Sequence, residues 1–374
     1  MTSPYRITFC ALAASMLLSS CGLLESIQYK DRVARTISPD QVLLVASLGA
    51  TGSDGSISSY LINPQTLKLL PTGKVITPAP TFLALDRTGG TLYVTNEIKT
   101  DATASAYAFD KNSGALTPIN RSLVLGEEPT YISVSEDKVV TANYGSGSIT
   151  MMYREANGAL KQADWRIELG AKGTSHPHAT VFSPDGKDLF VTDLGQDKIF
   201  HFNVNRSVPP LTIDDTGATL PAGSGPRHLI FGRNSDYIYV LAELSPRIFV
   251  YKHNGGRLSL VQEVNTGVKS TGAHIAMSPD GRYLYTSYRS GGDGIMVHSV
   301  AVDGTLSYVG FTETSGHPRQ FALSPDGHYL AVAARDGNQV VFYERDTNFG
   351  TLRPTGISIP LSRPCFVLWT GAGR

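Results

Sequence analysis

Residues 178–202 read HATVFSPDGKDLFVTDLGQDKIFHF, three short apolar runs separated by turn residues. The first turn, Ser183-Pro184-Asp185-Gly186, puts proline second and glycine fourth, as a type I turn asks. The runs are rich in β-branched and aromatic residues, and nothing between them has a helical period. They read as three consecutive strands.

The pattern recurs along the chain. Ser-Pro-Asp-Gly returns at 278–281 and 324–327. The residues that precede each first run are Pro80, Pro129, Pro177, Pro226, Gly272, Pro318 and Pro364, in steps of 49, 48, 49, 46, 46 and 46. After each of the first six come two further apolar runs and a weaker fourth around Gly-X-Leu. Four strands in a repeat of this length make a β-propeller blade. Six full units begin at Pro80 through Pro318. Residues 42–71 hold three strands without an inner one, and CFVLWT at 365–370 is a single strand after the same proline. The expectation is an all-β, seven-bladed propeller over 41–374, its ring closed by the C-terminal strand joining the N-terminal blade, which removes the edge strands.

Composition and the N-terminus narrow the setting. Charges balance, 32 basic against 32 acidic in 374 residues, with no basic run, which argues against a nucleic-acid partner. The first twenty residues join Arg6 to a short apolar run, too short to span a bilayer. They end in Leu18-Ser19-Ser20-Cys21, which resembles the lipobox of bacterial lipoproteins. That resemblance implies a signal peptide over 1–20, lipidation of Cys21 and a tether over 21–40. It places the mature protein on the periplasmic side of the envelope, and Gly22 after the cysteine points to the outer membrane where the cell has one. With Cys10 lost and Cys21 acylated, Cys365 is left without a disulfide partner.

A propeller also sorts residues by position, because equivalent positions of successive blades lie on a ring around the axis. One residue after each anchor stand Thr81, Thr130, His178, Arg227, Ala273, Arg319 and Cys365. Seventeen after, just past the second strand, stand Glu97, Leu194, Glu243, Arg289 and Arg335, with Tyr144 in the shorter third blade. Both rings belong near one mouth of the channel. Ionisable groups there need mutual pairing or a ligand. Salt bridges that merely lock the ring and a binding site are both open at this point.

Several stretches carry a resemblance to a known family: YVTN (93–96), NYGSGSI (143–149), HPHATVFSPDGKDLFVTDLGQDKI (176–199), GPRHLIF (225–231), AEL (242–244), SPDGRYLYTSYR (278–289) and HPRQFALSPDG (317–327). The chain resembles the seven-bladed propeller lactonases of the 6-phosphogluconolactonase and carboxymuconate lactonizing enzyme type. The resemblance implies a catalytic set on His178, Glu243, Arg227 and Arg289, all members of the two rings. Two neighbours depart from the family: Ala242 stands where asparagine is usual, and His274 where many relatives carry an acid.

Opening a lactone needs an activated water, a stabilised oxyanion and a grip on the substrate's anionic group. Histidine suits the proton transfer near neutrality, which points to His178, with Glu243 orienting it or sharing the role. Arg227 and Arg289 suit a carboxylate or phosphate. Arg319, His228 and His274 are the expected substrate-binding neighbours. His176 and His317, before their anchor prolines, read as loop residues, and the Asp-Gly pairs supply turn geometry. No cofactor and no metal is expected. The expected function is a lactonase-like hydrolase acting on a small anionic sugar- or carboxylate-type lactone. The alternative is a non-catalytic lipid-anchored propeller that binds a ligand or a protein in the envelope.

Overall fold

The computed structural model describes residues 41–371; the expected signal peptide, the expected lipidation site Cys21 and the expected tether lie outside them. Seven four-stranded antiparallel sheets form the ring, with no helix among the described residues. The six full blades start with inner strands Pro80–Leu85, Pro129–Ser135, Pro177–Phe182, Pro226–Phe231, Thr271–Met277 and Pro318–Leu323. In blade one the C-terminal strand Pro364–Thr370 lies innermost and pairs with Gln41–Ser47. Blade three departs most from the repeat. Its outer strand, Trp165–Glu168, is only four residues long, with an isolated bridge between Arg154 and Leu160 before it.

The core lies between blades. Second strands such as Thr91–Asn96 and Asp188–Asp193 are buried along their whole length because sheets cover both faces. Outer strands alternate or face water, and Pro71, Pro118 and Pro354 interrupt their free edges.

Neighbouring blades are also strapped by hydrogen bonds of one design. Tyr93, Tyr239 and Tyr285, at equivalent places in second strands, donate their hydroxyls to the carbonyls of Gly158, Gly304 and Gly350 in the next blade, at 2.8, 3.0 and 2.7 Å. Each glycine has a left-handed φ, between +76 and +88°. A Cβ on Gly350 would sit 2.3 Å from the Tyr283 ring, so only glycine allows that approach. Blade four has Phe190 at this place. There Asp188 bonds the buried His201 at 2.8 Å, and the blade-five His253 lies 3.8 Å from the same carboxylate.

Candidate active site at the propeller mouth

Two backbone devices bring the rings together. The residue before the anchor adopts a left-handed φ at Ala79, Glu128, Gly225, His317 and Arg363. Its carbonyl accepts the N–H of the residue that follows the second strand: Glu97 to Ala79 at 2.9 Å, Tyr144 to Glu128 at 3.1 Å, Glu243 to Gly225 at 2.7 Å and Arg335 to His317 at 3.0 Å. The residue after the anchor is then skipped by the ladder in all seven inner strands, a β-bulge each time. Proline lacks an N–H, so it suits the place where pairing is interrupted, and the bulge re-aims the next side chain. The freed carbonyls are taken up across blades: Thr130 Oγ1 donates to His178 at 3.2 Å and Thr192 Oγ1 to Arg227 at 2.7 Å. His178, Arg227, Arg319 and Cys365 are bulge residues.

Glu243 is the hub of the charged cluster. Its Oε2 accepts from Arg227 Nε and its Oε1 from Arg289 Nη2, both at 2.8 Å. Burial would raise its pKa, but the two guanidiniums prevail and hold the carboxyl below its usual range, so Glu243 is ionised. No hydrogen bond joins Glu243 to His178; both carboxylate oxygens are committed to arginine. Glu243 therefore orients guanidiniums here, not the imidazole.

His178 is 6% exposed, and its Nδ1 is buried without a hydrogen-bond partner. The Tyr144 ring stands edge-on to it at 5.9 Å and stacks on His176 at 4.5 Å. Burial, then the charges of Arg227, Arg319 and Arg289, hold His178 well below the ordinary histidine value, so it is neutral at pH 7.

The remaining expected residues take distinct places. Arg319 meets Glu97 only at 3.5 Å and is the least committed guanidinium of the cluster. His228 and His274 bond each other, Nδ1 to Nδ1 at 2.9 Å, and His228 also contacts Arg227. Both fall two residues after their anchors, on the same level as Phe82, Tyr131 and Phe366, whose rings close the channel below the mouth. The space left there, beside Arg227, Arg319 and Cys365, is ≈ 10 Å³, about one water. Phe82, Tyr131 and Phe366 thus leave little open space beside these residues.

The position before the anchor was undervalued by sequence reasoning. His317 lies 3.3 Å from Arg289 Nη1 and 3.3 Å from Asp336, and burial with the neighbouring arginines lowers it to about 4. His176 bonds the Tyr144 carbonyl at 3.0 Å. Both recur at one blade position, the same signal that singled out the other two rings. No three histidine, cysteine or carboxylate side chains among the described residues converge as metal ligands.

The structure defines a seven-bladed β-propeller with a charged cluster on one end of the ring, and comparison with known proteins makes this specific. Residues 42–369 match the family model of the seven-bladed β-propeller lactonases, and the chain belongs to that family. It is 31% identical over 328 residues to the 6-phosphogluconolactonase of Bacillus subtilis, covering 83% of this chain and 93% of that one. Among solved structures, a putative 6-phosphogluconolactonase of Bacteroides fragilis superposes with a TM-score of 0.85 at 33% identity, covering 90% of this chain and 99% of the other. A periplasmic gluconolactonase of Pseudomonas aeruginosa gives 0.83 at 29% identity, covering 89% and 99%.

Proposed function

We propose that this protein is a lactonase that hydrolyses a small anionic sugar- or carboxylate-type lactone at the upper mouth. The observation that carries the reading is the convergence of a neutral, unpartnered His178 with Arg227 and Arg289, whose orientation Glu243 sets. In the proposed reaction, water attacks the lactone carbonyl and gives its proton to His178. Arg227 and Arg289 take up the charge on the carbonyl oxygen. The ring C–O bond then breaks, and the leaving alkoxide receives the proton from His178, giving the open hydroxy acid. Burial and, after it, the cluster's positive charge make His178 a weak base while the mouth is empty. A bound anion offsets that charge and raises its basicity when substrate is present.

An exported chain meets few phosphorylated intermediates of central metabolism. A lactone whose negative charge comes from a carboxylate therefore fits the lipobox better than a sugar phosphate. The chain enters the ring at Gln41, at the end of blade one away from the mouth, since Ser47 is the residue beside Pro364. Detergent-phase partition of the full-length protein, lost on Cys21→Ala, checks the anchor.

The second reading, a non-catalytic propeller binding a ligand or a protein, draws on the Arg227–Glu243–Arg289 pairs, which also lock blades five and six together. A pH-indicator screen of phosphorylated and unphosphorylated lactones decides between the two. The lactonase reading expects turnover that falls about 100-fold or more in His178→Ala. No turnover of any lactone, or turnover indifferent to His178→Ala, overturns it.

A further inference from the structure

We infer that the buried His228 and the partly buried His274 form a pair of fixed tautomers that positions Arg227, leaving only its Nη2 edge for substrate.

The argument starts from donors. A guanidinium donates hydrogen bonds and never accepts them. Arg227 Nε–H goes to Glu243 Oε2 at 2.8 Å, and one hydrogen of Nη1 goes to the carbonyl of Ala273. Nη1 also lies 3.0 Å from His228 Nε2 and 3.4 Å from His228 Nδ1. The Nδ1 is already engaged with His274 Nδ1 at 2.9 Å, and one of those two nitrogens must carry the proton.

Only one assignment suits all three side chains. With the proton on His228 Nδ1, that nitrogen donates to a bare His274 Nδ1, and the bare His228 Nε2 faces the guanidinium. The reverse assignment puts an N–H of His228 against the N–H groups of Arg227. His228 therefore carries its proton on Nδ1 and His274 on Nε2. Nη2 is the one nitrogen of Arg227 without a protein partner among the described residues.

The elements explain the precision. Ala273 and His274 are consecutive in the blade-six bulge, so a single irregularity supplies both the carbonyl and the imidazole that hold the blade-five arginine. The surroundings are ring edges, with Tyr131 at 5.4 Å and His178 at 5.2 Å from His228, and Phe321 at 5.0 Å from His274. Burial first, and the charge of Arg227 next, hold both imidazoles neutral, His274 down at about 3.

The tautomer pattern stands on this geometry alone, whereas its effect on turnover rests on the lactonase reading. The test is nitrogen NMR of the imidazoles in the wild-type protein, with His228→Gln and His274→Asn used for assignment. A bare nitrogen is expected at His228 Nε2 and at His274 Nδ1; the reverse pattern, or a mixture, overturns the inference even where no lactone is turned over. For turnover, His274→Leu removes the acceptor and is expected to lower kcat/KM about tenfold, the loss of roughly one hydrogen bond's worth of orientation. In His274→Asn the side-chain oxygen replaces Nδ1 as acceptor, and most of the activity should return. Equal activity of the two variants removes the positioning role, and the wild-type spectrum still decides the tautomers where His274→Leu fails to fold.

Discussion

Burying imidazoles among arginines has a consequence for stability as well as chemistry. His178, His228 and His274 all have lowered values in the folded protein, from burial first and arginine charge second. In the unfolded chain they titrate near the ordinary value of about 6.5. Above that pH both states are neutral and these groups contribute no pH dependence. Below it the unfolded chain gains protons that the folded state refuses, so stability falls with falling pH, for His274 down to about 3. Between pH 6.5 and 5 His274 should cost about 2 kcal/mol, and His178 and His228 act in the same direction. Urea denaturation at pH 7.5 and pH 5 checks this: a midpoint that does not move would show that the imidazoles are not held neutral.

At the scale of elements, the blades depend on straps as much as on apolar contact. Tyr285 donates to Gly350 at 2.7 Å and accepts from Arg345 Nε at 2.7 Å, while Arg345 is only 3% exposed. Tyr285→Phe strands a buried carbonyl and part of a buried guanidinium, a loss of about 1–3 kcal/mol. Gly350→Ala should cost at least as much, because its φ of +76° and its contact with the Tyr283 ring both exclude a Cβ. Thermal unfolding of the two variants measures both losses. Unchanged midpoints would mean that this strap contributes nothing to the joint between blades six and seven.

At the scale of the whole molecule, closure of the ring rests on one strand. Val367 is fully buried, Cys365 and Phe366 are 1% and 4% exposed, and the strand covers the edge of Gln41–Ser47. Stopping the chain before Pro364 uncovers these side chains and frees that edge. At about 1.5–3 kcal/mol for each large apolar side chain, the loss over Phe366, Val367 and Trp369 approaches the whole stability of an ordinary domain. The truncated protein should be aggregated or unfolded by circular dichroism and gel filtration. A soluble, folded product would contradict closure by this strand.

The repeat was legible because a blade is a local object. Its turns are written in Ser-Pro-Asp-Gly and its strands in runs of valine, tyrosine and phenylalanine, so the number of blades, the anchors and the closing strand follow from spacing alone. Ring positions were legible for the same reason, and they include His178, Arg227, Glu243 and Arg289, the four that the family resemblance singled out. What each of those side chains touches was not legible, because apart from the Arg227–Glu243 pair within blade five the contacts run between blades. That Glu243 serves Arg227 and Arg289 rather than His178, and that His317 reaches Arg289, depends on how neighbouring blades are set around the axis. The pairing of His228 with His274, 46 residues apart, arises from bulges in two strands that meet only when the ring closes. Local chemistry in the sequence determined the blades; the ring decided which charges meet.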